Sequence, residues 1–263
     1  MKRRTLDIAF SIGGVVFSLL LLVVGLILAN QKNFATSYVH DQLKEQSISF
    51  KPADKLVGDK DFQATLLKSL GSQQAVDTFV ADKHLTSEAG SACLNKFAGK
   101  SMLTGKMAEC YAQDFIRLHA LEASIITGTG LKLPDGTPVD GKSYTYATIS
   151  PAITAAKAAV DAATKAGAPK DQIDTLTKQA AGLQTLRTDT LLRAETLRGL
   201  LLTTYGFSVF GDRAGQAAWV LFIGAVVIFL LSIAGFVHAF ASRKADDVIL
   251  VAENHDHKEL MNA

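Results

Sequence analysis

Two stretches of the chain carry no charged side chain, Ile8 to Asn30 and Ala214 to Ser242. Each exceeds the roughly 20 residues that cross a hydrocarbon core about 30 Å thick. They also explain a mean hydropathy of +0.21, which a soluble domain of 263 residues seldom has. Two such runs exclude a simple cytosolic enzyme, a secreted protein and a polytopic transporter. The expected fold class is mainly α: a two-helix transmembrane hairpin with a helical extracytoplasmic domain.

Basic residues order the topology. Lys2, Arg3 and Arg4 precede the first run, and Arg243 and Lys244 follow the second. Short basic flanks mark the cytoplasmic side. The expected division is a cytoplasmic head at 1–7, a first span at 8–29 and an extracytoplasmic domain at 30–215. A second span at 217–241 and a cytoplasmic tail at 242–263 complete it. The outer segment holds 21 of 27 basic and 19 of 25 acidic residues, a net charge of +2. So small a charge gives no case for nucleic acid as partner. A competing reading of the first run is a cleaved secretory signal ending near Ile27-Leu28-Ala29. The run is longer than the 7–15 residues (about two turns to four) usual for a signal core, which favours an anchor.

The only two cysteines, Cys93 and Cys110, fall in the outer segment. That compartment favours a disulfide closing a short loop, worth on the order of 3 kcal/mol. The alternative is two buried free thiols. In the spans, Gly14 and Ser18, then Gly25 and Ala29, then Gly235 and Ala239 recur at four-residue spacing. Small residues so placed let helices approach closely in lipid, so the spans would pack on each other or on partner spans; the alternative is that Gly and Ala are simply common in membrane helices.

Outside the spans the pattern is helical. Phe34, Tyr38, Leu43 and Ile48 carry the first helix outward for a few turns until Lys51-Pro52. Asp61 to Leu70, with Gly71 as stop, and Ser72 to His84 read as short amphipathic helices. Gly99 to Gly105 interrupts helix, and a longer helix runs from about Lys106 to Thr127. Gly128 to Asp140 is a turn or excursion. Ser150-Pro151 starts an Ala-rich helix, with Ser as cap and Pro at the first position, that ends at Gly167. Asp171 restarts a helix to about Leu201.

Candidate chemistry is sparse. His119 and Glu122 stand three apart on one helix face, but a non-haem iron site wants a second His. They read as an ordinary surface or interhelix pair. His255-Asp256-His257 in the tail is a possible metal grip, more simply a solvated tail. His238 sits near the inner end of the second span. Asp135 to Gly141 has the composition of a calcium loop without its spacing or closing Glu, so a plain turn is the better reading. No phosphate loop, dinucleotide fingerprint or nucleophile elbow occurs. No cofactor, metal, catalytic residue or small-molecule substrate is expected.

The stretch from Leu191 to Gly211 is the most informative. Arg193, Glu195 and Arg198 lead into Gly199 to Gly211, which is uncharged and too short to span. With Tyr205, Phe207, Phe210 and Trp219 it reads as an outer interfacial belt. Arg193 and Arg198 would then meet lipid phosphate or acidic neighbours. These six residues are the candidate contacts with membrane lipid or with a partner protein. The alternative is a helix packed on the outer domain.

Leu192-Arg-Ala-Glu-Thr-Leu-Arg-Gly-Leu-Leu-Leu-Thr-Thr-Tyr-Gly206 resembles the hallmark segment of a large group of two-span actinobacterial membrane proteins. Tyr38 to Leu43, Leu94 to Gly99, Tyr111 to Ile116 with His119, and Gly141 to Tyr144 resemble its other recurrent pieces, in order. Members often bear the name aromatic ring-opening dioxygenase, but beside His119 and Glu122 there is no complete iron triad. Cys93, Cys110 and the Ala-rich stretch from Pro151 to about Lys178 depart from the group's pattern. The expectation is therefore a non-enzymatic integral membrane protein, an accessory or scaffolding subunit binding other membrane or envelope proteins. A ligand-sensing outer domain that signals through a separate partner is the alternative.

Overall fold

A computed structural model of the chain describes residues 3–241. Among these, about three quarters are helical, and β pairing is limited to two isolated bridges, Ser49 with Ser101 and Lys132 with Pro138. The tail residues His255, Asp256 and His257 and the basic flanks Lys2, Arg243 and Lys244 lie outside the described residues. Among the described residues two compact units are present, one of residues 3–35 with 210–241 and one of residues 36–209.

The first unit holds the uncharged runs. Helix α1 (Arg3–Gln46) and helix α9 (Leu192–Ala241) contain two stretches long and apolar enough to cross a membrane. A helix is what such a run must form in lipid, because only there are its backbone N–H and C=O groups all satisfied within the segment. Phe10, Val16, Leu20, Val220, Leu231 and Val237 point outward, as side chains meeting acyl chains should. The buried residues of this unit are small, among them Ser11, Ser18, Ala35, Ala218, Ala225, Ser232 and Ala239.

That burial has a reciprocal pattern. A Cβ on Gly14 would collide with the Ser232 hydroxyl, and a Cβ on Gly235 would collide with that of Ser11. Ser11 and Gly14 on α1 thus meet Gly235 and Ser232 on α9, one serine–glycine pair answering the other in antiparallel order. Gly25 is closed by Phe222, 2.7 Å from where its Cβ would stand, and Gly211 by Ala35 at the same distance. The small residues serve to pack these two helices on each other. Ser11 and Ser232 hydroxyls donate back to Asp7 O and Ile228 O, so neither leaves a polar group unsatisfied.

The second unit is a helical body. It contains α2 (Asp59–Leu70), α3 (Gln73–Lys83), α4 (Ala92–Phe97), α5 (Gly105–Cys110), α6 (Arg117–Ala123), α7 (Ser150–Lys165) and α8 (Lys170–Thr185). The last turns of α1 and the first turns of α9 complete it. Boundaries follow local chemistry. Gly71 closes α2 in the left-handed conformation, and the Ser72 hydroxyl accepts from Ala75 N–H to cap α3. One expected cap differs: Ser150 is already helical and Ile149 stands at the cap, while Thr145 and Thr148 bond each other in the turn before it. The helix expected to reach Thr127 stops at Ala123, where the buried Ser124 hydroxyl accepts from Tyr144 N–H.

Two π-helical turns, Tyr111–Ile116 and Leu186–Leu191, join α5 to α6 and α8 to α9 without a break. The chain is therefore helical from Lys170 to Ala241. The uncharged stretch Gly199 to Gly211 is part of that helix, with Leu201 buried and Leu200 exposed.

Three apolar clusters fill the body. One joins Ile149 at the cap of α7, and Ile153 and Ala156 within it, to Leu183 and Leu191. A small one joins Phe62, Leu66, Val76 and Leu118. The third joins Val39, Leu43, Leu94, Ala112, Ile116 and Leu201. Segments 38–43, 94–99, 111–116 and 192–206 thus supply one core, a packing reason for their residue types.

Candidate functional site

The body's concentrated charge surrounds Glu88. This residue sits in a turn ahead of α4, and its carboxylate is fully buried. Burying an unpaired carboxylate is prohibitive, so donors must surround it. Lys51 Nζ donates at 3.0 and 3.2 Å, Val57 N–H donates at 3.3 Å, and His119 Nε2 stands in close hydrogen-bond contact. The other ring nitrogen of His119, Nδ1, faces Glu122 Oε2 at 3.2 Å.

His119 is thereby clamped between two carboxylates, and both N–H groups of an imidazolium find acceptors. The hydrogen bond to Glu122 raises its pKa above the ordinary 6.5, burial opposes this, and Glu88 adds to the rise. For Glu88, burial works to raise the pKa, but hydrogen bonds from His119, Lys51 and Val57 N–H outweigh it and hold the group below 4.5. Burial and the charge of Glu88 push the neighbouring Tyr111 hydroxyl upward. An aromatic run leads to the cluster: Tyr111 stacks on Phe115 at 4.6 Å, and Phe115 meets the His119 ring edge-on at 4.7 Å. The Lys51 ammonium lies 5.0 Å over Phe115.

An open groove of about 480 Å³ runs beside this cluster. One wall carries Phe115, Ile116 and His119, and the other Thr190, Ala194 and Leu197. Each wall includes a π turn. Such turns are rare and frequently occur at functional sites.

The expected contact residues are distributed among several environments. Arg193 is exposed and lines the groove, paired with Asp189 at 3.6 Å. Arg198 is half-buried and donates to Gln113 at 2.9 Å, tying α9 to the first π turn. Glu195 accepts from Tyr146 N–H at 2.8 Å. The Tyr205 ring lies under the Lys106 ammonium, and Phe207 packs edge-on against Tyr38 at 6.0 Å. Phe210 and Trp219 are exposed on the apolar part of α9, with Trp219 edge-on to Phe222.

Cys93 and Cys110 are paired at disulfide distance, with Cα atoms 5.9 Å apart. Asp114 lies close to both sulfurs and accepts from the Ser91 hydroxyl at 2.7 Å. His238 bonds Arg3 at 3.2 Å. In the Asp135 to Gly141 turn, Asp135 accepts from Thr137 N–H, and Asp140 uses both oxygens on Thr129 and Gly130 N–H groups. Those carboxylates serve the turn itself.

The pairing of His119 with Glu122 follows from their spacing. Glu88 and Lys51 were not among the expected residues, and only a carboxylate standing in an otherwise apolar and small stretch, Leu85 to Leu94, marks the first of them. Comparison with known proteins gives no match: no protein-family model, curated protein or solved structure corresponds to this chain.

Proposed function

We propose that this chain is a non-enzymatic, two-pass integral membrane protein with both termini in the cytoplasm and its helical body outside. There it serves as an accessory or scaffolding subunit for another membrane or envelope protein. The observation that carries this reading is the clamp on His119. The one histidine in a polar cluster of the body has each ring nitrogen against a carboxylate. A metal-bound imidazole gives one nitrogen to the ion, and a general base must offer a lone pair to substrate. A ring with both nitrogens already against carboxylates suits neither role, which argues against the dioxygenase name. Leu192, Leu197 and Leu200 meanwhile expose apolar surface on the body's part of α9, a face suited to a partner.

Site-specific photo-crosslinking in native membranes tests this. A photoreactive residue at position 200 is expected to capture one protein of defined mass, while one at the exposed Lys178 of α8 captures none. Equal, diffuse labelling from both positions would sink the partner reading. Maleimide labelling of single cysteines introduced near each terminus and in the body checks the topology.

A sensing role is the second reading, supported by the continuity of the helix. Groove residues Thr190, Ala194 and Leu197 lie on the same unbroken helical run that enters the apolar segment. A ligand pressing on them would act directly on that helix.

A further inference from the structure

The geometry points to a ligand class for the groove: a single-chain anionic amphiphile, an acyl carboxylate. Its head would sit among Lys51, His119 and Arg193, and its chain would run along Ile116, Ala123 and Leu197. This assignment rests on the sensing reading, which treats the groove as a ligand site.

The size and lining fit. A volume of about 480 Å³ falls within the range of small-molecule sites, and such sites are mostly apolar with a few placed polar groups. Here the surface is almost wholly aliphatic and aromatic.

The charge arrangement selects the head group. The three charged side chains lining the groove are all basic: Lys51, His119 and Arg193. The carboxylates that balance them stand off it. Glu88 is buried behind Lys51 and His119, and neither Glu122 nor Asp189 contributes to the lining. An approaching head group therefore meets Lys51, His119 and Arg193 before any carboxylate.

Two of these cations keep partial access, since the Lys51 and His119 side chains are 38% and 40% exposed. Arg193 is held only by an exposed ion pair within its own helix, an interaction of little strength. Its guanidinium can turn to a ligand carboxylate and grip it with two parallel N–H groups. A cationic ligand would find no carboxylate in the lining, and a neutral apolar one would offer the Arg193 guanidinium no new acceptor.

The full-length chain in phosphatidylcholine nanodiscs provides the test, with dodecanoate bearing a chain-terminal diazirine as probe. After irradiation, peptide mapping should find adducts in Arg117–Ala123 and in the segment 190–197. Ala123→Trp and Leu197→Trp, both at exposed positions, should each abolish them while circular dichroism stays unchanged. Unlabelled dodecanoate should compete about ten-fold better than dodecanol or dodecyltrimethylammonium, and Arg193→Gln should weaken binding by about ten-fold, as loss of one charge-assisted contact implies.

Adducts confined to residues 8–30 and 214–241, or unaffected by both Trp variants, would overturn the proposal. Equal competition by dodecanol would overturn it as well. Thermal-shift screening separates the two levels of the claim. A ligand of other chemistry that stabilises the native chain but not Ala123→Trp would remove the acyl assignment and preserve the sensing reading. No stabilisation by any ligand, with no groove adduct, would remove both.

Discussion

Gly14 of α1 lies against Ser232 of α9 so closely that any side chain at the glycine would meet the serine hydroxyl. Three residues earlier on α1, Ser11 stands in the same relation to Gly235. Lipid supplies no hydrophobic drive for two apolar helices to associate, so close backbone approach and dispersion contacts must hold them. Gly14→Leu should therefore destabilise the helix pair by about 1–3 kcal/mol, the usual cost of overpacking. Gly13 is the matched control, because nothing lies within 4 Å of its Cβ position. Thermal unfolding in mild detergent should show a lower midpoint for Gly14→Leu and none of that loss for Gly13→Leu.

Removing Glu88 leaves Lys51, one ring nitrogen of His119 and the Val57 N–H without their acceptor. Truncating one partner of a fully buried ion pair costs about 3–5 kcal/mol. Lys51 and His119 are each more than a third exposed and can turn to water. We therefore expect Glu88→Ala to cost about 2 kcal/mol after that discount. Glu88→Gln, which keeps an acceptor oxygen and the volume, should lose less. Urea titration of the full chain in nanodiscs checks the order; a Gln variant weaker than Ala would contradict the acceptor role.

How far the sequence speaks depends on the range of the interaction. The uncharged runs announce α1 and α9 because a bilayer imposes a length and a composition on any span. Gly71 and Ser72 mark a helix end and start within a few residues of themselves. His119 and Glu122 pair because a helix brings i and i+3 together. Glu88 reaches His119 across 31 residues and Lys51 across 37, and Arg198 reaches Gln113 across 85. No local period encodes such distances. The π turns were equally hidden, since one residue slipped into a helix leaves the apolar spacing nearly intact. They matter all the same, for they border the groove.

The His119 clamp makes stability depend on pH in a defined direction. Its pKa is raised in the folded chain from 6.5, so its contribution is complete below 6.5 and is lost as pH rises through the higher folded value. Glu88 is lowered from 4.5, so its contribution is present above 4.5 and is lost as pH falls through the lower folded value. These groups together favour the interval between 4.5 and 6.5. Melting temperatures measured from about pH 5 to about pH 9 should fall on the alkaline side. His119→Gln should flatten that fall, because glutamine carries no titrating proton. An unchanged slope in this variant would show that other groups set the pH response.

The cysteine pair ties the start of α4 to the end of α5, and it does so beside the third core cluster. A disulfide between Cys93 and Cys110 would close a loop with a sequence separation of 17. Restricting the unfolded chain over such a loop is worth about 3 kcal/mol. Cys93→Ser and Cys110→Ser should each lower the melting midpoint, and the double variant should lower it no further, since either change already opens the ring. Reductant should have the same effect on the native chain and none on the variants. Alkylation followed by intact-mass measurement supplies the direct check: the oxidised chain should take up no reagent before reduction and two equivalents after it. Two equivalents taken up without reductant would show free thiols in this part of the core.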